Sequence, residues 1–127
     1  MGKNMKIKTV ILGSSGYVGG ELLRLVNIHP NFELVAAVSN SHQGNLIASV
    51  FPHLSSLYEG EVFESYSEWH KKINKGSSIA IFSAAPHGTA ANILANTLAE
   101  ISGKKFDIRI VDVSADFRFS NPSKYEK

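Results

Sequence analysis

The sequence predicts an α/β domain: a doubly wound parallel sheet of about five strands with helices on both faces. Three observations predict it. Short apolar runs rich in β-branched residues alternate with segments of helical period. A glycine-rich turn joins the first apolar run to the first helical segment. No internal repeat, low-complexity tract or linker interrupts the alternation.

The first strand is expected over Ile7 to Leu12, apolar and mostly β-branched, stopped at Gly13. A helix from Tyr17 to Ile28 follows, with Val18, Leu22, Leu25 and Val26 on one face and His29-Pro30 as its stop. Leu34 to Val38 reads as the second strand and Ser39 to Gly44 as a polar loop beyond its carboxyl end. Asn45 to Gly60 fits no single element. A third strand is expected at Glu61 to Tyr66, then a short helix through Ile73 opened by the capping-box spacing of Ser65 and Glu68. Ile79 to Ser83 makes the fourth strand. Ala90, Ile93, Leu94, Thr97, Leu98 and Ile101 recur with helical period before Gly103. Ile108 to Val113 is the fifth strand, and Ser114 to Lys127 shows no periodicity that closes a further element.

The composition narrows the function classes. At 127 residues one domain is the default, spanning 1–127, and it is large enough to bury its own core without a staple. With no cysteine, the chain holds no disulfide, no Cys-ligated zinc and no thiol nucleophile. A net charge of +2 without a Lys/Arg cluster argues against nucleic acid as a partner. No apolar run nears the roughly 20 residues that span a bilayer, so no membrane partner is expected. The start lacks a signal peptide's apolar core, and a cytoplasmic address is expected.

Gly13-Ser14-Ser15-Gly16-Tyr17-Val18-Gly19 lies between the first strand and the first helix, where a Rossmann-like domain carries its dinucleotide fingerprint. Its spacing, Gly-x-x-Gly-x-x-Gly, varies the familiar Gly-x-Gly-x-x-Gly. The physics is shared: glycine allows a tight turn and close approach, and unpaired N–H groups at the helix start hold a pyrophosphate. A ligand-free turn is the plainer alternative. The motif lacks the Gly-Lys-Ser/Thr ending of a P-loop and the spacing of a nucleophile elbow. At the end of the second strand stand Ser39, Asn40 and Ser41. No carboxylate is there to repel a 2′-phosphate and two hydroxyls can donate to it, which favours NADP over NAD.

The five histidines share no metal-ligand spacing, so no metal is expected. His29 reads as a helix-end residue, and His42, His53 and His70 as surface or loop residues. His87, in Ala84-Ala85-Pro86-His87-Gly88 at the fourth strand's carboxyl end, is a candidate for lining the site. Asp112 and Asp116 read as structural hydrogen-bonding groups, and Arg118 is a fork-shaped donor for phosphate or carboxylate.

Several segments together carry a resemblance. Gly13 through Leu25 with His29-Pro30, then Ser39-Asn-Ser, Phe51-Pro-His-Leu, Ala85-Pro-His-Gly and Val111-Asp-Val-Ser-Ala-Asp-Phe-Arg resemble, in order and spacing, the amino-terminal part of N-acetyl-gamma-glutamyl-phosphate reductase. The glycine-rich turn is also found in aspartate-semialdehyde dehydrogenases. The resemblance implies a two-domain, NADP-dependent oxidoreductase of arginine biosynthesis that reduces N-acetyl-glutamyl 5-phosphate to the semialdehyde with release of phosphate. It implies that a cysteine thiolate attacks the acyl phosphate and that hydride from NADPH reduces the resulting thioester, with a histidine as acid and base. By the same matching, Gly13, Ser14, Ser15, Gly16, Tyr17 and Val18 fall on the pyrophosphate loop, and Ser39 and Ser41 at the ribose-phosphate end. Ala85 and Pro86 fall along the cofactor, Ser114 near the nicotinamide, and Arg118 is the candidate for the substrate phosphate.

The family's Gly-Cys-Tyr-Pro segment has no counterpart here. The chain is therefore expected to hold no catalytic residue, to be the cofactor part of a longer enzyme, and to bind NADPH weakly without turnover when isolated. A homo-oligomer is expected through the absent domain. Three alternatives stay open: an N-acetyl-aminoadipyl-phosphate reductase, an aspartate-semialdehyde dehydrogenase, and a non-catalytic NADP-binding module.

Overall fold

Four parallel strands form the sheet in the computed structural model, which describes residues 6–85 and 90–113. They are β1 (Ile7–Leu12), β2 (Phe32–Val38), β3 (Ser78–Ser83) and β4 (Asp107–Asp112), in the order β2-β1-β3-β4. Helix α1 (Tyr17–Ile28) follows β1, a single turn α2 (Ile47–Val50) lies in the long connection after β2, and α3 (Ala90–Glu100) leads into β4.

Alternation along the strands divides the core in two. Val10, Leu12, Ala36, Val38, Ile79 and Ile81 point to one face, where Trp69, Ile73 and Ile101 are buried and Ile93, Leu94 and Leu98 of α3 pack. Ile11 and Ala37 point to the other, against Leu23 and Val26 of α1 with Ile47, Leu54, Tyr58 and Phe63. Burial on both faces explains why β1 reads as a continuous apolar run rather than an alternating one.

Four sequence expectations need correction. The segment from Glu61 to Tyr66 is not a fifth strand of the sheet. It makes one parallel bridge, Val38 to Glu64, and one antiparallel bridge, Leu46 to Val62. Its hydrogen bonds are divided: Glu64 N–H donates to Ala37 C=O and Ser39 N–H to Glu64 C=O, whereas Phe63 exchanges bonds with Gly44 and Asn45. With the Phe63 ring buried in the α1 core, the segment turns off the sheet after one residue of pairing.

No capping box forms at Ser65. The short helix through Ile73 is a 3-10 turn, Trp69–Lys72, without a side-chain cap. The Ser65 hydroxyl meets that of Ser67, and Glu68 pairs with Lys71. Nor is His70 a surface residue, since it is buried beside Trp69 with the two rings perpendicular and their centroids 5.4 Å apart.

The inward face of α1 also differs from the apolar periodicity. Gly19, Gly20, Leu23 and Val26 are buried, whereas Val18 and Leu25 are 38% and 46% exposed. The two glycines explain the rotation. A Cβ on Gly20 would lie 2.7 Å from the Phe51 ring, and one on Gly19 would lie 2.4 Å from the Ser14 carbonyl oxygen. The helix packs on its glycine side, which no hydrophobic pattern registers.

Tyr58 ties the long connection to α1. Its hydroxyl donates to Leu23 C=O at 2.6 Å in a buried site. Burial, aided by the charge of Glu61 and opposed by a hydrogen bond with Asn27, pushes its pKa from 10.0 up to about 12. Below pH 10 both the folded and unfolded states keep the proton. Between pH 10 and about 12 the unfolded chain releases it first, so the folded state holds more protons and stability falls as pH rises. Tyr58→Phe is expected to cost about 1 kcal/mol at neutral pH. Urea unfolding across a pH series should show the gap to wild type narrowing above pH 10; a constant gap would contradict this assignment.

Candidate functional site

The chain leaves β1 to place β2 on one side and β3 on the other, so the sheet's topological switch lies between β1 and β3. In such sheets ligands bind outside the carboxyl ends of the strands at this point. Here those ends are stitched together. Ser14 N–H donates to Val38 C=O at 3.0 Å, Ala84 N–H to Leu12 C=O at 2.8 Å, and Val113 N–H to Ser83 C=O at 2.8 Å.

A cleft of about 430 Å³ opens above them, lined by the glycine-rich turn, by Ser39 to Ser41, and by Tyr66, Ala84 and Ala85. The turn's three spaced glycines do different work. Gly13 has φ +69°, and a Cβ there would lie 2.7 Å from Ala85 Cα, so both conformation and space demand glycine. Gly19 lets α1 start hard against the turn. Gly16 faces open space with an extended backbone, φ −88° and ψ −177°.

Gly16 caps α1 without a side-chain bond, and the first helical hydrogen bond runs from Gly20 N–H to Gly16 C=O. The N–H groups of Tyr17, Val18 and Gly19 precede that ladder, as at every helix start, and carry the positive end of the helix dipole. An anion approaching Gly16 meets donors, and Gly16 itself puts no side chain in the way.

The expected contacts fall as follows. Gly13, Ser15, Gly16, Tyr17, Val18, Ser39, Ser41 and Ala85 all line the cleft. Ser14 does not: fully buried, it turns its hydroxyl to Val38 C=O at 3.1 Å and serves the turn itself. Ser39 is also buried, donates to the Ser15 hydroxyl at 3.0 Å and lies 3.3 Å from that of Ser41. Pro86, His87, Ser114, Asp116 and Arg118 lie outside the described residues. Asp112 ends β4 and is already engaged in the fold.

Sequence reasoning missed Tyr66. It lines the cleft because the bridge from Val38 to Glu64 brings its segment to the end of β2, and its N–H donates to Asn40 Oδ1 at 3.0 Å. Burial raises its pKa, against a smaller opposing effect of a hydrogen bond with the Gly13 backbone. Asn40 and Tyr66 are shared with a second cleft of about 370 Å³, walled by Ile93, Asn96, Thr97 and Glu100 of α3. No local pattern in the sequence reports a pairing that long-range packing creates.

Residues 8–125 match the family model described as semialdehyde dehydrogenase, NAD binding domain. The chain belongs to this family. The NAD-binding domain is 37% identical over 121 residues to an N-acetyl-gamma-glutamyl-phosphate reductase of Rhodospirillum rubrum, covering 95% of this chain and 32% of that protein. It is 39% identical over 123 residues to the Acidothermus cellulolyticus protein of the same name, covering 97% of this chain and 32% of that protein. An Aeropyrum pernix relative named for LysW-linked 2-aminoadipate and glutamate phosphate reduction is 36% identical over 121 residues, covering 95% of this chain and 31% of that protein.

The domain thus spans about a third of the length of the curated relatives it matches. The crystal structure of Candida albicans aspartate semialdehyde dehydrogenase with NADP superposes with a TM-score of 0.60 at 19% identity, covering 91% of this chain and 31% of that one, which establishes the shared fold. Among the described residues no helix is long and apolar enough to cross a membrane.

Proposed function

We propose that this domain holds NADP(H) for an acyl-phosphate reductase, with N-acetyl-glutamyl 5-phosphate as the substrate reduced to the semialdehyde. The observation that carries the reading is the cleft at the switch point, where open space over Gly16 adjoins a partly buried cluster of serine hydroxyls with no carboxylate among the described residues that line it. The bound dinucleotide supplies hydride to the reaction. The domain's own residues bind and orient.

Helix-start N–H groups beyond Gly16 take the pyrophosphate, and Gly13 and Ala85 keep the turn close to β3 so that the ligand lies across the strand ends. Ser39 and Ser41 present hydroxyls at the ribose end, where a carboxylate would repel a 2′-phosphate. The smaller cleft beside Tyr66, apolar at Ile93 and polar at Asn96, suits the adenine. Ser14 supports this set from below by fixing the turn to β2. Pro86, Ser114 and Arg118 complete the proposed contacts to cofactor and substrate phosphate. The nucleophilic cysteine and the acid/base histidine belong to the part of the enzyme beyond this domain. The reading carries with it a cytoplasmic enzyme of arginine biosynthesis, acting on water-soluble partners as a homo-oligomer.

The full-length enzyme run in reverse, with N-acetyl-glutamate semialdehyde, inorganic phosphate and NADP, tests the reading. Phosphate-dependent formation of NADPH is the expected result. NADPH formation that does not need phosphate would overturn the acyl-phosphate assignment.

A further inference from the structure

We propose that the groove between α3 and Tyr66 selects adenine as the base of the dinucleotide, with the Glu100 carboxylate accepting from its 6-amino group; the proposal rests on the NADP reading above. The groove adjoins the dinucleotide cleft, because Asn40 and Tyr66 line both. A base carried on a ribose at Ser39 to Ser41 therefore enters it directly.

One face of α3 makes the wall. Ile93, Asn96, Thr97 and Glu100 recur at i, i+3, i+4 and i+7, so they follow one another along the groove. Strands β3 and β4 are parallel, so α3 runs back from the strand ends, and Glu100, its last residue, lies about 10 Å along the axis from Ile93. Glu100 lines the groove and not the dinucleotide cleft. The carboxylate thus stands toward the base, away from the ribose end where it would repel a 2′-phosphate.

Hydrogen-bond polarity decides which base fits. Asn40 Oδ1 is taken by Tyr66 N–H at 3.0 Å, so the Asn40 amide keeps its NH2 to donate. A carboxylate only accepts. The groove offers a donor at the end shared with the cleft and an acceptor at the other. Adenine matches this with ring-nitrogen acceptors and an amino donor, whereas a 6-oxo purine carries an acceptor oxygen in place of the amine. Glu100 attracts the first group and repels the second.

Two observations set Glu100 apart from an ordinary surface acid. It ends α3, where a carboxylate opposes the negative end of the helix dipole, so it does not serve the helix itself. Its Oε2 lies 3.5 Å from Nε2 of buried His70, a nitrogen that makes no hydrogen bond. The imidazole gives the carboxylate a fixed neighbour on the core side, beneath the groove.

Fluorescence titration of the full-length protein with NADPH and with its hypoxanthine analogue, in which an oxygen replaces the 6-amino group, tests this. Wild type is expected to bind NADPH at least about tenfold more tightly than the analogue. In Glu100→Gln the side-chain amide can accept from an amine or donate to an oxygen, so the two affinities should come within about threefold of each other. A wild-type ratio near one overturns the proposal. So does a Glu100→Gln protein that keeps the wild-type ratio, since Glu100 would then serve only its contact with His70. Absence of saturable binding of either nucleotide to wild type overturns the NADP reading itself, and this proposal with it.

Discussion

Gly19→Ala and Gly16→Ala are expected to fail in opposite ways, although both add one methyl group to the same turn. At Gly19 the new Cβ would meet the Ser14 carbonyl oxygen at 2.4 Å and its Cα at 2.6 Å. These are backbone atoms of a buried residue that is bonded twice to Val38, so they have nowhere to move. The expected loss is at least about 3 kcal/mol, the upper end for overpacking, and urea unfolding measures it. At Gly16 nothing lies within 4 Å and φ is ordinary, so the loss should be limited to the poorer N-cap that Ala makes, about 1 kcal/mol. The methyl group then occupies the approach to the helix-start donors, and NADPH affinity should fall by about tenfold or more. Equal effects on stability from the two variants would contradict the separate roles assigned to these glycines.

Ser39→Asp is expected to reverse the dinucleotide preference. Ser39 directly follows β2, is buried, and reaches the hydroxyls of Ser15 and Ser41. A carboxylate there can accept from those hydroxyls and from a ribose 2′-hydroxyl, but it repels a 2′-phosphate. Like charges brought together at an interface cost several kcal/mol, so NADPH should bind at least about 100-fold more weakly, with NADH affinity retained within about threefold. Paired titrations of the two dinucleotides read this directly. Unchanged NADPH affinity would remove the ribose-phosphate role from this end of β2.

Much of the fold is legible because its signals are local. β1 coincides with its apolar run, α1 with the span between the glycine-rich turn and Pro30, and α3 with the period that runs from Ala90 to Ile101. The turn is legible because three glycines at fixed spacing report steric demands, which Gly13 and Gly19 confirm at 2.7 and 2.4 Å. What the sequence hid depends on partners distant in the chain. Glu61 to Tyr66 has a strand's composition, yet Phe63 is pulled into the α1 core and the segment pairs with β2 at one residue. The buried face of α1 is hidden in the sequence because glycine adds nothing to an apolar pattern, although the helix packs on Gly19 and Gly20. Tyr66 and Asn40 join across 26 residues, and Ser14 and Ser15 are adjacent residues with opposite directions, one into the fold and one into the cleft.

In the proposed complex the dinucleotide lies over the glycine-rich turn with its phosphorylated ribose at the end of β2. Backbone amide resonances of the protein, followed as NADPH is added, test this most directly. The largest shifts are expected on Gly13 to Gly19 and on Ser39 to Ser41, with smaller ones at Tyr66 and Ala84. Saturable NADPH binding that leaves Gly16, Tyr17 and Ser39 unmoved would contradict it.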